Sequence, residues 1–306
     1  MSTGVVQPID RADLPVEAPL EEAPTTPPRW YALVWGNRKA RVGIVLLGFF
    51  VLVAVLAPVI APYDGARTDF EALLPPSAAH PLGTTTQGGD IFSQLVYGSR
   101  TSLLVGLFGG LFATAIALVV GLVSGYKEGT VVDDLLSFVT NVALVVPVLP
   151  LMIVLVAYSD VRGLPLLVFV IGITSWAGHA RAKRSQIITL RNRDFVTAAK
   201  FSGESTFRIV FREIMPSMTS LVAAGFVGAA TGAIGAEAGL SFLGLGDPSS
   251  ISWGTMLYQA NAQGAVAQGL WIWVLVPGLT LALLITSLTF INFGVDLLSN
   301  PHLREE

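Results

Sequence analysis

Six long runs of uncharged, mostly apolar residues alternate with polar segments along the chain. They are residues 42–60, 101–126, 135–159, 163–180, 214–236 and 270–295. A helix that rises about 1.5 Å per residue needs about 20 residues to cross a hydrocarbon core about 30 Å thick. The pattern therefore predicts an all-α, polytopic membrane protein with six transmembrane helices. Pro147, Pro150 and Pro165 predict kinks or shortened helices in the third and fourth spans.

The polar segments divide the chain further. Residues 1–28 contain six prolines and five acidic residues, so they bury too little apolar surface to order, and we expect a disordered cytoplasmic tail through residue 36. This tail lacks the basic start and early apolar core of a cleavable signal, so the first span, residues 37–62, is expected to direct insertion. Residues 63–99 are expected to be extracytoplasmic, 100–297 to form a five-helix core, and 298–306 to form a cytoplasmic tail.

The composition supports a membrane protein. Of its 306 residues, 53% are hydrophobic and 13% are charged, whereas a soluble domain has roughly 25% charged residues. The net charge of -3 argues against a nucleic-acid partner, and the absence of cysteine excludes disulfides, thiolate metal sites and cysteine nucleophiles.

Neither the lysines nor the histidines indicate a catalytic or metal site. The lysines lack the flanking residues of a phosphate-binding P-loop, so any ATP chemistry is expected on another chain. The histidines are scattered among unlike contexts, and we expect no metal on this chain. These residues are Lys39, Lys127, Lys183 and Lys200, with His80, His179 and His302.

The basic residues indicate an orientation. Fifteen Lys and Arg residues fall on the side that holds both termini and the polar insert before the fifth span, against three on the other side, Arg67, Arg100 and Arg162. The excess of positive charge marks the cytoplasmic side. Both termini and the insert are therefore predicted to be cytoplasmic.

This insert, residues 194–218, has helical periodicity in two parts. Asp194 can cap a first helix that places small side chains on one smooth face, and Gly203 permits a turn that a side chain would oppose. A second helical repeat then continues until Pro216, which marks a break. The first face comprises Phe195, Ala198, Ala199 and Ser202, and the second comprises Phe207, Val210, Phe211 and Ile214. Periodicity alone equally allows a hairpin on the membrane surface, anchored by Arg208 and Arg212.

The insert resembles the "EAA" loop of ABC importer permeases, inner-membrane components of binding-protein-dependent transport systems. The resemblance rests on the pair Ala198-Ala199, on Gly203, and on the ending Ile214-Met215-Pro216. In that family the loop's short helix docks in a cleft on a cytoplasmic ATPase. Thr197 stands where the loop's name expects Glu, and Glu213 where relatives often carry His. The resemblance assigns coupling, within a loop at residues 181–216, to Thr197, Ala198, Ala199, Lys200, Gly203, Glu204, Ser205 and Pro216.

A second block precedes the second span. Residues 80–100 can be an ordinary extracytoplasmic loop followed by an interfacial helix, residues 91–97. They also resemble the "LGTDxxGRD…YGAR" signature that opens the core of peptide and nickel ABC permeases. Thr86, Gln87 and Gly89 depart from it, whereas the matching residues are Leu82, Gly83, Thr84, Gly88, Asp90, Tyr97, Gly98 and Arg100.

A third block, residues 236–257, follows the fifth span. Its composition predicts a semi-apolar loop with an interfacial Trp. It closely resembles the "EAxLSFLGLG…PSWGxML" block of the same branch, which lies at the outer end of the pathway in relatives. The resemblance implies an external gate formed by Glu237, Leu240, Ser241, Phe242, Leu243, Gly244, Gly246, Trp253 and Gly254. A fourth block, residues 290–304, resembles an altered form of the family's terminal signature, and its ending is similar to that of branch members assigned to oligosaccharides.

Glycines four residues apart lie on shared helix faces inside the spans. Such spacing lets helices approach closely. Packing within the bundle is the favoured explanation and a dimer seam the alternative. The pairs are Gly121 and Gly125, Gly228 and Gly232, and Gly235 and Gly239.

Together these resemblances imply one permease subunit of an ATP-driven importer of di- or oligopeptides, with oligosaccharides or nickel as alternative cargo. The implied partners are a homologous second permease, two ATPase subunits that hold ATP and Mg, an extracytoplasmic substrate-binding protein and membrane lipids. The implied location is the cytoplasmic membrane of a bacterium or archaeon. We expect no enzymatic activity and no cofactor on this chain. Asn141 and Asn292 are candidate polar residues of the pore, or equally packing residues that form hydrogen bonds within the bundle.

Two other classes of protein are compatible with a helical bundle. An ion-coupled secondary transporter needs ionisable residues inside its spans. The uncharged runs contain only His179, near an end, with Glu237 just past another. A membrane-embedded hydrolase needs paired carboxylates, His-Glu-x-x-His or Gly-x-Ser-x-Gly, and the sequence has none of these motifs.

Overall fold

The computed structural model describes residues 35–247 and 249–299, with side chains up to residue 295. Within this part of the chain, helices are joined by turns, and the only β-structure is an isolated bridge between Thr84 and Asp90. The longer helices are α1 (Arg38–Val55), α2 (Ile91–Tyr126), α3 (Val131–Val145), α4 (Val148–Ala157), α5 (Leu164–Thr174), α6 (Ala177–Arg191), α7 (Asp194–Phe201), α8 (Thr219–Phe242), α9 (Trp253–Ala262) and α10 (Trp271–Ser299). Residues 1–34 and 300–306, which make up most of the predicted tails 1–36 and 298–306, lie outside the described residues.

Helix α2 is the centre of the bundle. It has 36 residues, about 54 Å at 1.5 Å per residue, and packs against α1, α5, α6 and α8. Asp90 caps its start, because its Oδ2 atom accepts from the Ser93 N–H at 2.8 Å. The prediction of a separate interfacial helix before the second span is therefore wrong. Gly98, where a break could occur, instead admits the ring of Trp253.

The third and fourth predicted spans are each broken into two helices. Helices α3 and α4 meet at 86°, and α5 and α6 meet at 43°. Pro147 causes the first break, because it has no N–H and its ring clashes with the preceding turn, so it stands before α4 rather than inside a continuous helix. Residues 181–191, which were assigned to the loop, continue the helix of α6 instead.

The membrane-crossing character of the bundle agrees with the sequence. Helices α2, α8 and α10 are each long and apolar enough to cross a membrane, and the two bent pairs raise this number to five in the described chain. The remaining predicted span is the first, which corresponds to α1, and the first turn of α1 carries Arg38, Lys39 and Arg41.

The fifth span is displaced toward its C-terminus. It was predicted to start at residue 214, but α8 runs from Thr219 to Phe242. Residues 236–242, which composition predicts as loop, are therefore helical. Pro216 does not break the chain here, because it lies in the first turn of the short helix Met215–Ser217, where its missing N–H leaves no hydrogen bond unmade.

One predicted glycine pair, Gly121 and Gly125, packs closely against a neighbouring helix. A Cβ atom at Gly121 would lie 2.8 Å from the Lys183 Cβ, and one at Gly125 would lie 2.9 Å from the Arg184 carbonyl oxygen. These glycines therefore let α2 and α6 approach each other, which confirms packing within the bundle. A Cβ atom at Gly232 or Gly235 would have no described neighbour within 4 Å.

Candidate functional site: the insert and the corner formed by α8 and α9

The insert, residues 194–218, rests on an apolar base. Val196 of α7 and Ile209 and Ile214 of the second helical piece are buried together against Leu122 of α2 and Ile187 of α6. This contact anchors both halves of the insert to the same two helices.

A charged contact beside this base joins α6 to the end of α2. The Arg191 Nη1 atom donates to the Tyr126 carbonyl at 2.9 Å, and its Nη2 atom lies 2.8 Å from the Glu128 carboxylate. The end of α2 has carbonyls without partners in its own helix, and the guanidinium satisfies one of them. The insert thus follows a helix that is fastened to the centre of the bundle.

Helix α7 presents a mixed small and aromatic surface outward. Ala198 and Phe195, which belong to the predicted face, are exposed, and Phe201, which does not belong to it, lies beside them and is 89% exposed. The prediction of a small, smooth face is therefore wrong, because Val196 takes the inward position and turns the aromatic rings outward. Asp194 is the first helical residue and not the cap, so that prediction is also wrong.

The remaining predicted coupling residues near α7 are placed as follows. Thr197 and Lys200 are exposed, whereas Ala199 and Glu204 are partly buried. Ser205 caps the next turn, because its Oγ atom accepts from the Arg208 N–H at 3.4 Å.

The predicted turn at Gly203 is confirmed. The Glu204 N–H donates to the Ala199 carbonyl at 3.1 Å, and the Gly203 N–H donates to the Lys200 carbonyl at 3.0 Å. These two bonds form a Schellman motif, which requires a left-handed residue at this position. Gly203 has φ +76°, and a Cβ atom there would meet no described atom within 4 Å. The need for glycine is therefore one of backbone conformation and not of space within this chain.

The second half of the insert contains a π-helix. Thr206–Arg208 leads into the π-helix Ile209–Ile214, which continues through Met215–Ser217. The predicted break at Pro216 is wrong, although Pro216 itself is exposed. The buried side of this piece packs on the protein, which disfavours a hairpin held only by the membrane surface. Phe207 remains 71% exposed.

The block of residues 236–257 forms a tightly packed corner between α8 and α9. Glu237, Leu240 and Ser241 are buried in the last turns of α8, and the Ser241 hydroxyl donates to the Glu237 Oε1 atom at 2.7 Å. A Cβ atom at Gly254 would lie 2.8 Å from the Ala238 Cα atom, so α9 crosses α8 at close range. Trp253 is 1% exposed and donates from Nε1 to the Leu95 carbonyl at 2.9 Å. The prediction of an interfacial Trp is therefore wrong.

Two glycines shape the end of this corner. Gly244 has φ +81° and closes a second Schellman turn, because the Leu245 N–H donates to the Leu240 carbonyl at 2.9 Å. A Cβ atom at Gly246 would lie 2.5 Å from the Ser241 Oγ atom. Phe242 and Leu243 are exposed beside the turn.

The two candidate pore polars have different surroundings. The Asn141 Oδ1 atom accepts from Arg181 Nη2 at 2.6 Å, beside a polar cavity of about 190 Å³ between α2, α3 and α6. The Asn292 Oδ1 atom is buried in α10 without a hydrogen-bond partner among the described residues. The pore assignment of both remains a prediction.

Sequence reasoning missed an ion-pair network. The Asp133 carboxylate accepts from Arg184 Nε and Nη2, each at 2.8 Å, and from the Ser124 hydroxyl at 2.6 Å. It therefore links α2, α3 and α6. The spacing of Thr130 and Asp133 indicates only the start of α3, which Thr130 caps, and not the ion pair with Arg184.

Two ionisable residues lie deeper in the bundle than predicted. Lys183 is 1% exposed on α6, against Gly225, and Glu237 lies inside α8. The interpretation that the spans contain only His179, with Glu237 just past an end, therefore misses ionisable side chains that the helices bury. No group of three metal-ligating side chains converges anywhere in the described chain.

Comparisons with known proteins agree across nearly the whole length. Residues 117–304 match the family "Binding-protein-dependent transport system inner membrane component". Residues 35–76 match the "N-terminal TM domain of oligopeptide transport permease C".

Individual relatives include the dipeptide transport system permease protein DppC of Bacillus subtilis (strain 168), which is 32% identical over 88% of this chain and 83% of that protein. The di/tripeptide transport system permease protein DppC of Pseudomonas aeruginosa (strain UCBPP-PA14) is 32% identical over 88% and 89%. The oligopeptide transport system permease protein OppC of Bacillus subtilis (strain 168) is 32% identical over 72% of each chain.

A solved structure shares the fold. A chain of the MetNI methionine ABC transporter in an inward-facing conformation aligns with a TM-score of 0.56 and 19% sequence identity, over 68% of this chain and 96% of that chain. At this identity the match supports the arrangement of helices alone.

Proposed function

The chain belongs to the binding-protein-dependent transport system inner membrane components, and on that premise we propose that it imports di- or oligopeptides as one permease subunit of an ATP-driven transporter. The observation that supports peptides as the cargo is the similarity, over most of the chain, to permeases named for dipeptides and oligopeptides. Oligosaccharides and nickel are alternative cargo.

The proposed orientation places the insert and both termini in the cytoplasm. The distribution of basic residues supports it. In this orientation the corner formed by α8 and α9 lies at the outer end of the bundle, where residues 237–254 act as the external gate. A homologous permease, two ATPases and a substrate-binding protein complete the assembly in a bacterial or archaeal cytoplasmic membrane, with ATP and Mg held by the ATPases.

The outward face of α7 is the proposed contact for an ATPase. Ala198 is a small residue between two exposed aromatic side chains, Phe195 and Phe201. A contiguous exposed apolar surface of this kind is typical of a protein contact site. In the proposed mechanism of alternating access, ATP closes the ATPase pair and moves α7. The apolar base under the insert then carries that motion into α2 and α6, which pack on the rest of the bundle.

The test combines assembly with transport. The tagged full chain is purified in mild detergent with its native partners, and uptake of labelled peptides, oligosaccharides and nickel is measured in vesicles. We expect ATPases and a second permease to co-purify, and uptake of peptides to depend on ATP. Purification of the chain alone after cross-linking, or uptake of only a non-peptide cargo, would contradict the proposal.

A matched pair of variants tests the docking face. Ala198→Arg places a charge on the exposed face of α7, whereas Thr189→Arg places the same charge on an exposed position of α6. We expect the first variant to lose the ATPase and the second to retain it. Equal retention by both variants would exclude this face as the contact.

A further inference from the structure

An apolar cavity of about 390 Å³ lies between the last turns of α2 and the second half of the insert. Val119, Val123 and Tyr126 form its wall on α2, and Phe207 and Phe211 form the opposite wall. The cavity lies where the membrane-crossing helix ends, since Lys127 follows the last residue of α2 and also lines the cavity.

The cavity continues an outward-facing apolar stripe of α2. Leu104, Phe108, Leu111, Val119 and Val123 are all exposed and are separated by three, four or eight residues, which places them on one side of the helix. Val119 is 62% exposed. An apolar stripe on the outside of a membrane-crossing helix can face lipid chains. The cavity lies at the end of this stripe, because Val119 and Val123 belong to both.

Two lysine side chains lie at the polar end of the cavity. Lys127 lines it directly, and the Lys200 Nζ atom lies 5.8 Å from the centre of the Tyr126 ring. Among the described residues neither lysine lies within 4 Å of a carboxylate, and Glu128, which follows Lys127 in the sequence, is paired with Arg191. The site therefore has an apolar interior and unneutralised positive charge where the membrane gives way to water.

We propose that this cavity binds one acyl chain of an anionic phospholipid, with the lipid phosphate held by Lys127 and Lys200. A membrane lipid matches both halves of the site, because its chain is apolar and its charged headgroup lies at the boundary where the lysines are. Phe207 and Phe211 belong to the insert, so the bound chain packs directly against the element that moves during coupling. The inference rests on the membrane location of the bundle and not on the identity of the cargo.

The probe is phosphatidylglycerol with a photoreactive group near the middle of one acyl chain, added to the full importer complex in lipid nanodiscs. Cross-linked positions are mapped by peptide mass spectrometry, and a phosphatidylcholine of the same chains is the headgroup control. We expect adducts concentrated at residues 119–126 and 206–211 with phosphatidylglycerol. Removal of each lysine charge by Lys127→Gln or Lys200→Gln should reduce them about fivefold, as expected for about 1 kcal/mol per basic group near an anionic surface.

Two tryptophan variants separate the cavity from the general lipid surface. Val119→Trp fills the cavity from an exposed position, and Leu111→Trp adds the same ring two turns away on the stripe. We expect only the first variant to remove the adducts. Equal labelling by both lipids, or no effect of Val119→Trp, would overturn the proposal. Cross-links that join residue 207 to another protein subunit in place of lipid would also overturn it, since a protein would then cover the cavity.

Discussion

The backbone at Gly203 gives a prediction that separates rigid coupling from simple contact. Gly203 has φ +76° in the turn that ends α7. A residue with a Cβ atom pays about 1–2 kcal/mol for this conformation, and Asn tolerates it better than other side chains. Because a Cβ atom there would meet no described atom within 4 Å, this chain itself adds no steric penalty.

The expected result is an order among three substitutions. Gly203→Ala should destabilise the turn by about 1 kcal/mol, which lowers the equilibrium constant for its formation about fivefold. Gly203→Val should lower it further, because a β-branched residue is a strong outlier at positive φ. Gly203→Asn should lower it least. We expect the amount of peptide imported per ATP hydrolysed to fall in the same order, with membrane insertion unchanged.

The assay measures uptake and ATP hydrolysis together in vesicles that contain the complete importer. Asn and Val differ little in bulk but differ in their tolerance of positive φ. If Gly203→Asn is as harmful as Gly203→Val, a partner requires free space at this position, and the conformational argument fails. If both Gly203→Ala and Gly203→Val transport normally, a rigid turn is not needed for coupling.

Three further predictions concern the bundle. Gly254→Ala should destabilise the chain by about 1–3 kcal/mol, because its Cβ atom would overlap the backbone of α8. The control Gly232→Ala should be neutral or stabilising, because a Cβ atom there meets no described atom within 4 Å. Equal melting temperatures of the two variants in detergent would contradict the overlap at Gly254. Asp133→Asn should lower the free energy of unfolding by about 2 kcal/mol, because it weakens a partly buried ion pair with Arg184. A double-mutant cycle on Asp133 and Arg184 that shows no coupling energy would exclude the ion pair as the cause. Asn141→Leu should impair uptake if Asn141 faces the pathway, and unchanged uptake identifies a packing residue.

The sequence was sufficient for the elements that depend on local pattern. Long uncharged runs predicted α2, α8 and α10, and the glycine at position 203 predicted a turn whose hydrogen bonds are present. The resemblance of four ordered blocks identified the family that the comparisons establish. These features are encoded within short windows, so composition and spacing reveal them.

The errors arose where tertiary contacts decide the outcome. Trp253 is amphipathic and was placed at an interface, but its N–H finds the Leu95 carbonyl and its ring packs on Phe50 inside the protein. Composition predicts a loop at Glu237, yet α8 continues through it and buries its carboxylate, whose Oε1 atom accepts from the Ser241 hydroxyl. Hydropathy windows average over such partners and therefore do not detect them.

The same contacts explain why α2 is suited to receive motion from the insert. One end of α2 holds the base under α7 and the π-helix, and its other end receives the hydrogen bond from Trp253 in the corner formed by α8 and α9. Between these ends its glycines press directly on α6 and α8. Close-packed interiors transmit displacement and do not absorb it. In the proposed mechanism, a shift of the insert reaches the opposite end of the bundle through one continuous helix, so we expect coupling to require a rigid α2.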